Sequence, residues 1–571
     1  MQLKKNGLNV IQTKFNLRST ETKVLVLFVF LIYALFLIPI VIGLIATILP
    51  AFSYFPALGY DSFSFDVWSD FFNHSSVFTG TVLSLTTGLF ATIIALFFSF
   101  IIFYRYIYLK KSKILNYLIS PMLAIPHAAF AIAFILLFAP SGWLIKIVAS
   151  MLGWVLPPNI VTVQDSYAIS LMVVLIIKEI PFLLLMLSAQ LPNYPVSSYR
   201  LLSASLGYSH FASYLYVLVP QLLKSIRLPI YAVLAYGLTN VDVSQIIGPN
   251  APPTLGVLIH QWFSHSDLSF RLLAAAGSVF LLIMTLLCIG LFYLFEKLVV
   301  VCLLSFSSQS KRSVFFESVI SRLGFVLYAI VIISILAIVV LILWSVTFRW
   351  GFSFSLPQQF SFKFWSKSAD AILLGVKNAS IFAFLSTVIS MVIVIGALEY
   401  LGSNNSNKKV LPKSLIYLPL LLPQMSFLFG FNVFLLWTDF HFDWLSVLWA
   451  HSLFVLPYIY LTLHPVFNQF DKRYVLQSYA LNHGYLKTLL FIKIPMLKTS
   501  IYSTFALGFS VSVVQYLPTL YMGEGRIETI TTQMVNMASG SDYRRIAIFA
   551  LCQTLLPMVV FILAFRKKSH A

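Results

Sequence analysis

The sequence predicts an all-α polytopic membrane protein with about twelve transmembrane helices, arranged as two parallel repeats of six. Three observations predict this fold: the chain is 60% hydrophobic and 10% charged, long apolar runs recur along it, and one segment pattern occurs twice. Soluble globular domains are nearer half apolar and about a quarter charged, so the composition excludes an ordinary soluble protein.

Apolar runs of about 20 residues are long enough to cross the roughly 30 Å hydrocarbon core of a bilayer as helices. The first run follows basic residues, as in a signal peptide, but it is too long for the apolar part of one and predicts a retained span. The predicted spans are 24–49, 78–103, 117–139, 168–190, 222–246 and 270–295 in the first half, and 323–346, 371–399, 414–437, 444–463, 500–522 and 545–565 in the second.

Membrane topology explains the formal net charge of +19. When the N-terminus is placed in the cytoplasm, 27 of the 37 Lys and Arg residues fall in or beside cytoplasmic segments. The positive-inside rule then predicts that both termini are cytoplasmic. All 10 tryptophans fall in or near the outer segments, where the membrane interface favours their rings. We therefore expect a chain surrounded by membrane lipid, with no nucleic-acid partner.

One segment of the chain is duplicated without a gap. Residues 199–220 return 275 residues later as 474–495. The register then continues, and a chance match is unlikely to hold it that far. Matching pairs at the same interval are Leu222 and Leu497, Gly248 and Gly523, and Thr254 and Thr529.

Earlier in each half the interval is 295 residues, which pairs Gly80 with Gly375. We therefore predict one repeat over 1–310 and a second over 311–571. An even number of spans gives both repeats the same orientation. Parallel halves related by an axis along the membrane normal can enclose a pathway between them.

Each repeat carries one long cytoplasmic loop, which we name the first loop (191–222) and the second loop (465–497). Both contain a helical stretch, a break at Gly207 or Asn482, a second helical stretch and a closing proline. Glycine and asparagine tolerate the left-handed backbone conformation, so both breaks are able to make the same turn. Such a unit presents a short amphipathic rod to another protein; the alternative is a solvated linker.

These loops resemble the EAA motif of permease subunits of binding-protein-dependent ABC importers, which reads Glu-Ala-Ala, three residues, Gly, nine residues, Ile-x-Leu-Pro. The acidic residue of that motif is absent from both loops. The matching residues are Leu201-Leu202-Ser203, Gly207 and Val217-Leu218-Val219-Pro220 in the first loop, and Leu476-Gln477-Ser478, Asn482 and Ile492-Lys493-Ile494-Pro495 in the second.

The chain looks most like the fused double permeases of the thiamine and iron(III) uptake class, including their YnjC-type branch. The resemblance implies a type I importer fold in the bacterial inner membrane, two separate ATPase subunits and an extracytoplasmic solute-binding protein. It also implies that the loops are coupling helices. The residues to which this role is carried over are Leu201, Ser203, Gly207, Pro220, Leu476, Ser478, Asn482 and Pro495.

The chain contains no G-x-x-x-x-G-K-[ST] loop, so we expect ATP to be bound by the partner and no cofactor by this chain. A self-contained twelve-span secondary transporter is the main alternative, but it would not need paired loops. A membrane enzyme is a weaker alternative, because no cluster of carboxylate, His or Cys side chains lies at either face and we predict no catalytic residues.

Two sets of polar residues are candidates for the pathway. Lys178 and Glu179 lie within a predicted span, where each ionisable side chain costs about 2.5 to 3.5 kcal/mol and marks either function or a structural polar contact. The third span of each half carries a proline before a polar side chain, as Pro126-His127 and Pro423-Gln424. Matched interruptions indicate either a transport site or a packed kink.

The histidines lack the arrangement of metal ligands, and we predict no metal site. On the outer side, segments 248–267 and 523–542 share Gly, Thr and Asp positions. These segments form either a docking face for the binding protein or packed loops.

Overall fold

The computed structural model describes residues 19–108, 122–308, 315–403, 413–439, 442–540 and 542–566. Helices make up nearly all of its regular structure, as expected of a chain that must satisfy its own backbone hydrogen bonds in lipid. Within the described residues the strands form a single antiparallel pair, β1 (Thr347–Arg349) and β2 (Gln359–Phe360).

The first half contains thirteen described α-helices. They are α1 (Ser19–Ala51), α2 (Asp66–Asn73), α3 (Ser75–Phe103), α4 (His127–Phe138), α5 (Trp143–Leu152), α6 (Ile169–Gln190), α7 (Val196–Ser205), α8 (His210–Ser213), α9 (Val219–Ser225), α10 (Arg227–Thr239), α11 (Asp242–Ile247), α12 (Leu255–Phe263) and α13 (Phe270–Ser308). Short 3-10 helices cover Pro56–Leu58 and Leu191–Asn193, and π-helical turns cover Tyr104–Tyr108 and Tyr214–Leu218.

The second half follows a similar order. Its described α-helices are α14 (Phe315–Leu323), α15 (Val326–Ser345), α16 (Lys363–Lys367), α17 (Ala369–Ser403), α18 (Lys413–Leu421), α19 (Met425–Trp437), α20 (Asp443–Asn468), α21 (Lys472–Ala480), α22 (Tyr485–Thr488), α23 (Ile494–Met496), α24 (Lys498–Val513), α25 (Leu517–Met522), α26 (Ile530–Ala538) and α27 (Tyr543–Arg566). A π-helical turn covers Leu489–Lys493.

Nine helical stretches in the described part of the chain are long and apolar enough to cross a membrane, and one of them, His127–Leu152, takes in both α4 and α5. The helices His210–Ser225 and Arg227–Thr239 meet at 66° and pass the same test together, as either a broken tenth span or a re-entrant loop. The two remaining predicted spans, 414–437 and 500–522, are each broken into two shorter helices. The predicted all-α polytopic membrane fold is therefore confirmed, whereas the number of twelve spans is not confirmed.

The first long helix of each half also packs against the other half. Helix α1 packs along α17 and α19 of the second half, and α15 packs against α4 of the first half. The α1–α19 crossing is made by two glycines: a Cβ at Gly43 would lie 2.1 Å from the Phe427 carbonyl oxygen, and one at Gly430 would lie 2.1 Å from the Gly43 carbonyl oxygen. Small residues permit such close approach of membrane helices. The two halves are therefore joined by close helix packing between α1 and α19.

Residues paired at the two intervals make equivalent contacts in the two halves. A Cβ at Gly80 would lie 3.3 Å from the Leu255 nitrogen, and a Cβ at Gly375 would lie 3.1 Å from the Ile530 nitrogen. The two glycines are 295 residues apart and their partners are 275 residues apart. The predicted boundary at 310 falls among residues 309–314, outside the described residues, and stays a prediction.

Candidate functional site

Both loops close their first helix with the same hydrogen-bonded turn. Gly207 has a φ of 78° and Asn482 a φ of 58°, both in the left-handed region. In the first loop, the nitrogens of Gly207 and Tyr208 donate to the carbonyls of Ala204 at 3.0 Å and Ser203 at 2.9 Å. This pair of bonds is the Schellman motif, which ends helices at a residue able to take the left-handed conformation.

The second loop repeats these bonds at the 275-residue interval. The nitrogens of Asn482 and His483 donate to the carbonyls of Tyr479 at 2.9 Å and Ser478 at 3.1 Å. The predicted equivalence of the two breaks is therefore present in the backbone. Asparagine replaces glycine here because it is one of the few side chains that tolerate this conformation.

A π-helical turn follows in each loop, at Tyr214–Leu218 and Leu489–Lys493, before the closing proline. Pro220 and Pro495 each lie in the first turn of the helix that follows, where a missing N–H is tolerated. Proline removes one helical hydrogen bond at this point, and the backbone widens locally. Pro220 is buried, whereas Pro495 is exposed.

The serines and leucines of the loops point in different directions. Ser203 and Ser478 are buried, and the Ser478 hydroxyl bonds to the Thr488 hydroxyl at 2.8 Å, which ties the two short helices together. Leu201 is 73% exposed, whereas Leu476 is half-buried. The serines are therefore internal, and the exposed apolar surface belongs to other residues.

The exposed apolar surface of the loops includes residues outside the set to which the coupling role is carried over. Leu206 is 65% exposed and its counterpart Leu481 is 71% exposed, each directly before the left-handed residue. Leu202 and Phe491 are also exposed. Apolar residues next to a predicted turn are the signal that would have identified this surface.

The second loop also has an N-cap that the first lacks. Asp471 accepts a bond from the Arg473 nitrogen at 2.9 Å and caps α21, whereas no side chain caps the equivalent helix α7. Hydrogen bonds from the Arg473 side chain and backbone hold the pKa of Asp471 below its ordinary value. The aspartate is therefore charged when it caps the helix, which suits the positive end of the helix dipole.

Lys178 binds the carbonyls next to Pro126. Its ammonium group donates to the Met122 carbonyl at 2.7 Å and to the Ile125 carbonyl at 2.6 Å. Proline has no N–H to bond the carbonyl four residues before it, so Pro126 leaves the Met122 carbonyl without its helical partner. Lys178 therefore makes the structural polar contact that was one of its two predicted roles.

Glu179, the next residue along the helix, contacts the residue that follows Pro126. Its Oε1 lies 3.2 Å from Nε2 of His127, the first residue of α4. Glu179 is buried, and the His127 side chain is 32% exposed. Adjacent helix positions point about 100° apart, which explains how neighbouring residues reach opposite sides of one proline break.

Three tyrosines and a second carboxylate surround this pair. The His127 and Tyr236 rings are 5.1 Å apart, and Tyr236 lies beside Asp242. From the second half, Tyr458 interacts electrostatically with Glu179, and Tyr516 interacts electrostatically with Asp242. We name these six residues the polar cluster: His127, Glu179, Tyr236, Asp242, Tyr458 and Tyr516.

The polar cluster bridges the two halves. The Tyr516 hydroxyl is 3.5 Å from Oε1 of Gln245 in the first half and 3.3 Å from Oδ1 of Asn536 in the second. His127, Tyr236, Asp242 and Tyr458 are partly exposed, so the cluster is not completely enclosed by protein. Asp242 lies inside the predicted span 222–246, and the same rule that identified Lys178 and Glu179 would have identified it.

The second matched interruption is less polar. Pro423 is buried between α18 and α19, and Gln424 is half-buried at the start of α19. The next residue but one, Ser426, bonds to the Ser278 carbonyl of the first half at 2.9 Å. The two proline sites thus both lie at contacts between helices, but the carboxylates accompany only the first.

The predicted outer segment 248–267 lines a cavity of about 600 Å³. Its lining includes Asn250, Gln261 and Trp262, together with His74 and Phe270. The segment also reaches the second half, because His260 Nδ1 lies 2.9 Å from the Tyr521 hydroxyl. Among the described residues there is no group of three or more His, Cys, Asp or Glu side chains placed to hold a metal ion.

No protein-family model matches the chain. The chain is 28% identical over 442 residues to the inner membrane ABC transporter permease protein YnjC of Escherichia coli, which covers 77% of this chain and 78% of that protein. It is 25% identical over 168 residues to the spermidine/putrescine transport system permease protein PotC homolog of Mycoplasma genitalium, which covers 28% of this chain and 58% of that protein. The resemblance indicated by the duplicated loops is therefore confirmed: along most of its length, this chain is similar to the permease proteins of ABC transporters.

Proposed function

We propose that this chain is the transmembrane permease of an ABC importer, with both permease copies fused in one polypeptide. It forms a solute pathway across the inner membrane and is coupled to two separate ATPase subunits through its two loops. The observation that carries this proposal is the pair of identical Schellman turns, each followed by a π-helical turn at the same interval. Two copies of one folded unit suit two copies of one partner.

The exposed leucines of the loops support a protein partner. Leu201 and Leu202 in the first loop, and Leu206 and Leu481 at the turns, expose apolar surface outside the predicted spans. Such surfaces mark interaction sites, and a short helix entering a groove is a common form of recognition. Because the sequence has no phosphate-binding loop of its own, the partner binds and hydrolyses ATP, and the chain is a transport subunit rather than an enzyme.

The polar cluster is our candidate for the pathway. It lies between the halves, it is partly accessible, and it includes His127, which directly follows Pro126 at the first proline interruption. Polar interruptions near the middle of repeated spans are typical of transport sites. Pro423 and Gln424 form the second candidate position. We assign Lys178 a structural role at the broken helix, because its ammonium group bonds to the Met122 and Ile125 carbonyls, and not a role in contacting solute.

On the outer side, segments 248–267 and 523–542 form our candidate docking face for a solute-binding protein. The cavity beside the first segment is concave and mixes polar with aromatic side chains, a surface suited to receiving a protruding partner. The positive-inside distribution of Lys and Arg supports a cytoplasmic location for both termini and both loops.

Site-directed labelling tests both the binding of ATPase subunits at the loops and the orientation of the chain in the membrane. In a chain whose Cys288, Cys302 and Cys552 are changed to serine, Leu206→Cys and Leu481→Cys introduce equivalent thiols in the two loops. We expect a membrane-impermeant maleimide to label both from the cytoplasmic side and the ATPase subunits to block that labelling. Met151→Cys, at an 80% exposed position on the predicted outer side, is the matched control.

The control should be labelled only from outside, with or without ATPase. A secondary transporter needs no partner at the loops, so unaltered loop labelling in the presence of ATPase would favour that alternative. Labelling of the loops from outside would reverse the proposed orientation.

A further inference from the structure

Glu399 connects the second loop to a long membrane helix. It lies near the C-terminal end of α17 and is 7% exposed. One carboxylate oxygen pairs with the Lys493 ammonium group, and the other accepts a bond from the Tyr485 hydroxyl at 3.0 Å. Tyr485 begins α22 and Lys493 ends the π-helical turn. A single carboxylate therefore holds the second loop at both ends of its second helical stretch.

The surroundings of this ion pair are apolar. The Lys493 ammonium group lies 4.7 Å from the ring centre of Phe467 and 5.4 Å from that of Phe470. Low local polarity strengthens the attraction between paired charges and makes the loss of one partner costly. The second loop and α17 are consequently expected to move together.

Tyr104 occupies the equivalent position in the first half, 295 residues before Glu399. It is fully buried, and its ring centre lies 5.3 Å from that of Phe211 and 5.1 Å from that of Tyr214. The Tyr214 hydroxyl donates to the Phe100 carbonyl of α3 at 2.8 Å. Aromatic packing thus holds the first loop where an ion pair holds the second.

The first contact extends to a helix of the other repeat. The Tyr104 hydroxyl donates to Oε1 of Glu317 at 2.6 Å, and Glu317 lies on α14, close after the predicted boundary between the repeats. The Arg105 guanidinium lies 3.8 Å from the ring centre of Phe325, just beyond α14. Helix α14, which follows the predicted boundary, is therefore packed against the end of α3.

We propose that the two loops drive the membrane helices through two unlike joints. In the second copy the joint is the Glu399–Lys493 ion pair with Tyr485. In the first copy it is the Tyr104–Tyr214 contact, completed by Glu317, so α14, the first described helix after the predicted repeat boundary, takes part in coupling. This inference rests on the proposed function, because it describes how ATP-driven movement of the loops reaches the spans.

Spin-label distances in the complete complex with its ATPase subunits test the second joint. Phe97→Cys on α3 and Val392→Cys on α17 are exposed and equivalent positions, and the three native cysteines are changed to serine. We expect ATP to change the distance between the labels. Glu399→Gln should reduce that change at least about twofold, and Lys493→Met should do the same. The double variant Glu399→Lys with Lys493→Glu should restore most of it.

Asn378→Leu is the control on the same helix, because Asn378 bonds to the Glu528 carbonyl at 2.9 Å and touches neither loop. It should leave the ATP-dependent change as in the wild type. Glu317→Gln should weaken the first joint and reduce the change as well. Restoration by the charge-swapped pair shows that the effect comes from the ion pair. Loss of the ATP-dependent change in variants that unfold at the wild-type temperature and still bind the ATPase separates a transmitting role from a merely structural one.

Two outcomes separate the inference from the function on which it rests. If the wild-type complex shows the ATP-dependent change and Glu399→Gln shows it equally, the ionic joint is wrong and the proposed function stands. If the wild-type complex with bound ATPase shows no change at all, the proposed coupling itself is contradicted, and the joints with it.

Discussion

Gly207 and Asn482 each adopt the left-handed backbone conformation at the end of a helix, with φ values of 78° and 58°. Their equivalence is predictable from sequence, because glycine and asparagine are the residues that best tolerate this conformation. The burial of the neighbouring serines is not predictable in the same way. Ser478 is buried because it meets Thr488, ten residues along the chain, and this contact depends on how the second short helix folds back.

Two substitutions at Gly207 should show whether coupling depends on the left-handed turn or on the absence of a side chain. Gly207→Val places a β-branched residue at positive φ, with a local strain of about 1 to 3 kcal/mol, and should impair ATPase coupling while the protein remains inserted. Gly207→Asn is the matched control, since the second loop already has asparagine at this position. ATP hydrolysis by the assembled complex, normalised to the amount of chain in the membrane, measures the difference; equal activity of both variants would contradict the prediction.

The Lys178 side chain should stabilise the broken helix. Lys178→Met removes the donor to the Met122 and Ile125 carbonyls and leaves both in an apolar region, which costs about 1 to 3 kcal/mol for an unsatisfied buried group. We expect a lower midpoint of thermal unfolding in detergent. The exposed variant Cys302→Ser should unfold as the wild type does, and an unchanged midpoint for Lys178→Met would show that these bonds contribute little.

Interrupted helices are the elements that the sequence predicts least completely. The break before His127 has a local cause in Pro126, and the break after Thr239 has one in Asn240, whose Oδ1 accepts bonds from the Ser244 nitrogen at 3.1 Å and hydroxyl at 2.7 Å. The break between α24 and α25 lies just before Pro518, which is in the first turn of α25. There Gln515 donates to the His451 carbonyl at 3.2 Å, a contact with a distant helix that local sequence does not reveal.

The polar cluster leads to a prediction about the pathway. His127→Phe keeps a ring next to Tyr236 but removes the contact with Glu179. If solute passes between the halves here, the variant should lower uptake about tenfold or more in cells while ATPase assembly is retained, because an unpaired carboxylate is left in the pathway. Gln424→Leu tests the second interruption in the same assay. Wild-type uptake by His127→Phe would favour a packed kink.

At the scale of the whole molecule, the repeat is visible in sequence, but the packing of the first long helix of each half against the other half is not. The 275-residue interval reappears in turns and helix starts because those features are local. The packing of α1 against α19 depends on Gly43 and Gly430, which are unremarkable in sequence and become informative only when their backbones are seen to touch. Their close approach joins the first span to the opposite half.

A bulky residue at this crossing should weaken the packing between α1 and α19. Gly43→Val would bring a side chain to within 2.1 Å of the Phe427 carbonyl oxygen, and we expect overpacking to destabilise the protein by about 1 to 3 kcal/mol. Gly290→Val is the matched control, since no atom lies within 4 Å of a Cβ at this position of α13. Thermal unfolding should distinguish them; equal midpoints would argue against a tight α1–α19 contact.

The central claim is that two equivalent loops connect this chain to ATPase subunits. The most direct measurement is ATP hydrolysis by the purified chain, alone and after assembly with its ATPase, with the Gly207→Val, Asn482→Val double variant alongside. We predict no hydrolysis by the chain alone, coupled hydrolysis by the wild-type complex, and loss of that coupling in the double variant. Hydrolysis by the chain alone, or a double variant as active as the wild type, would contradict the account.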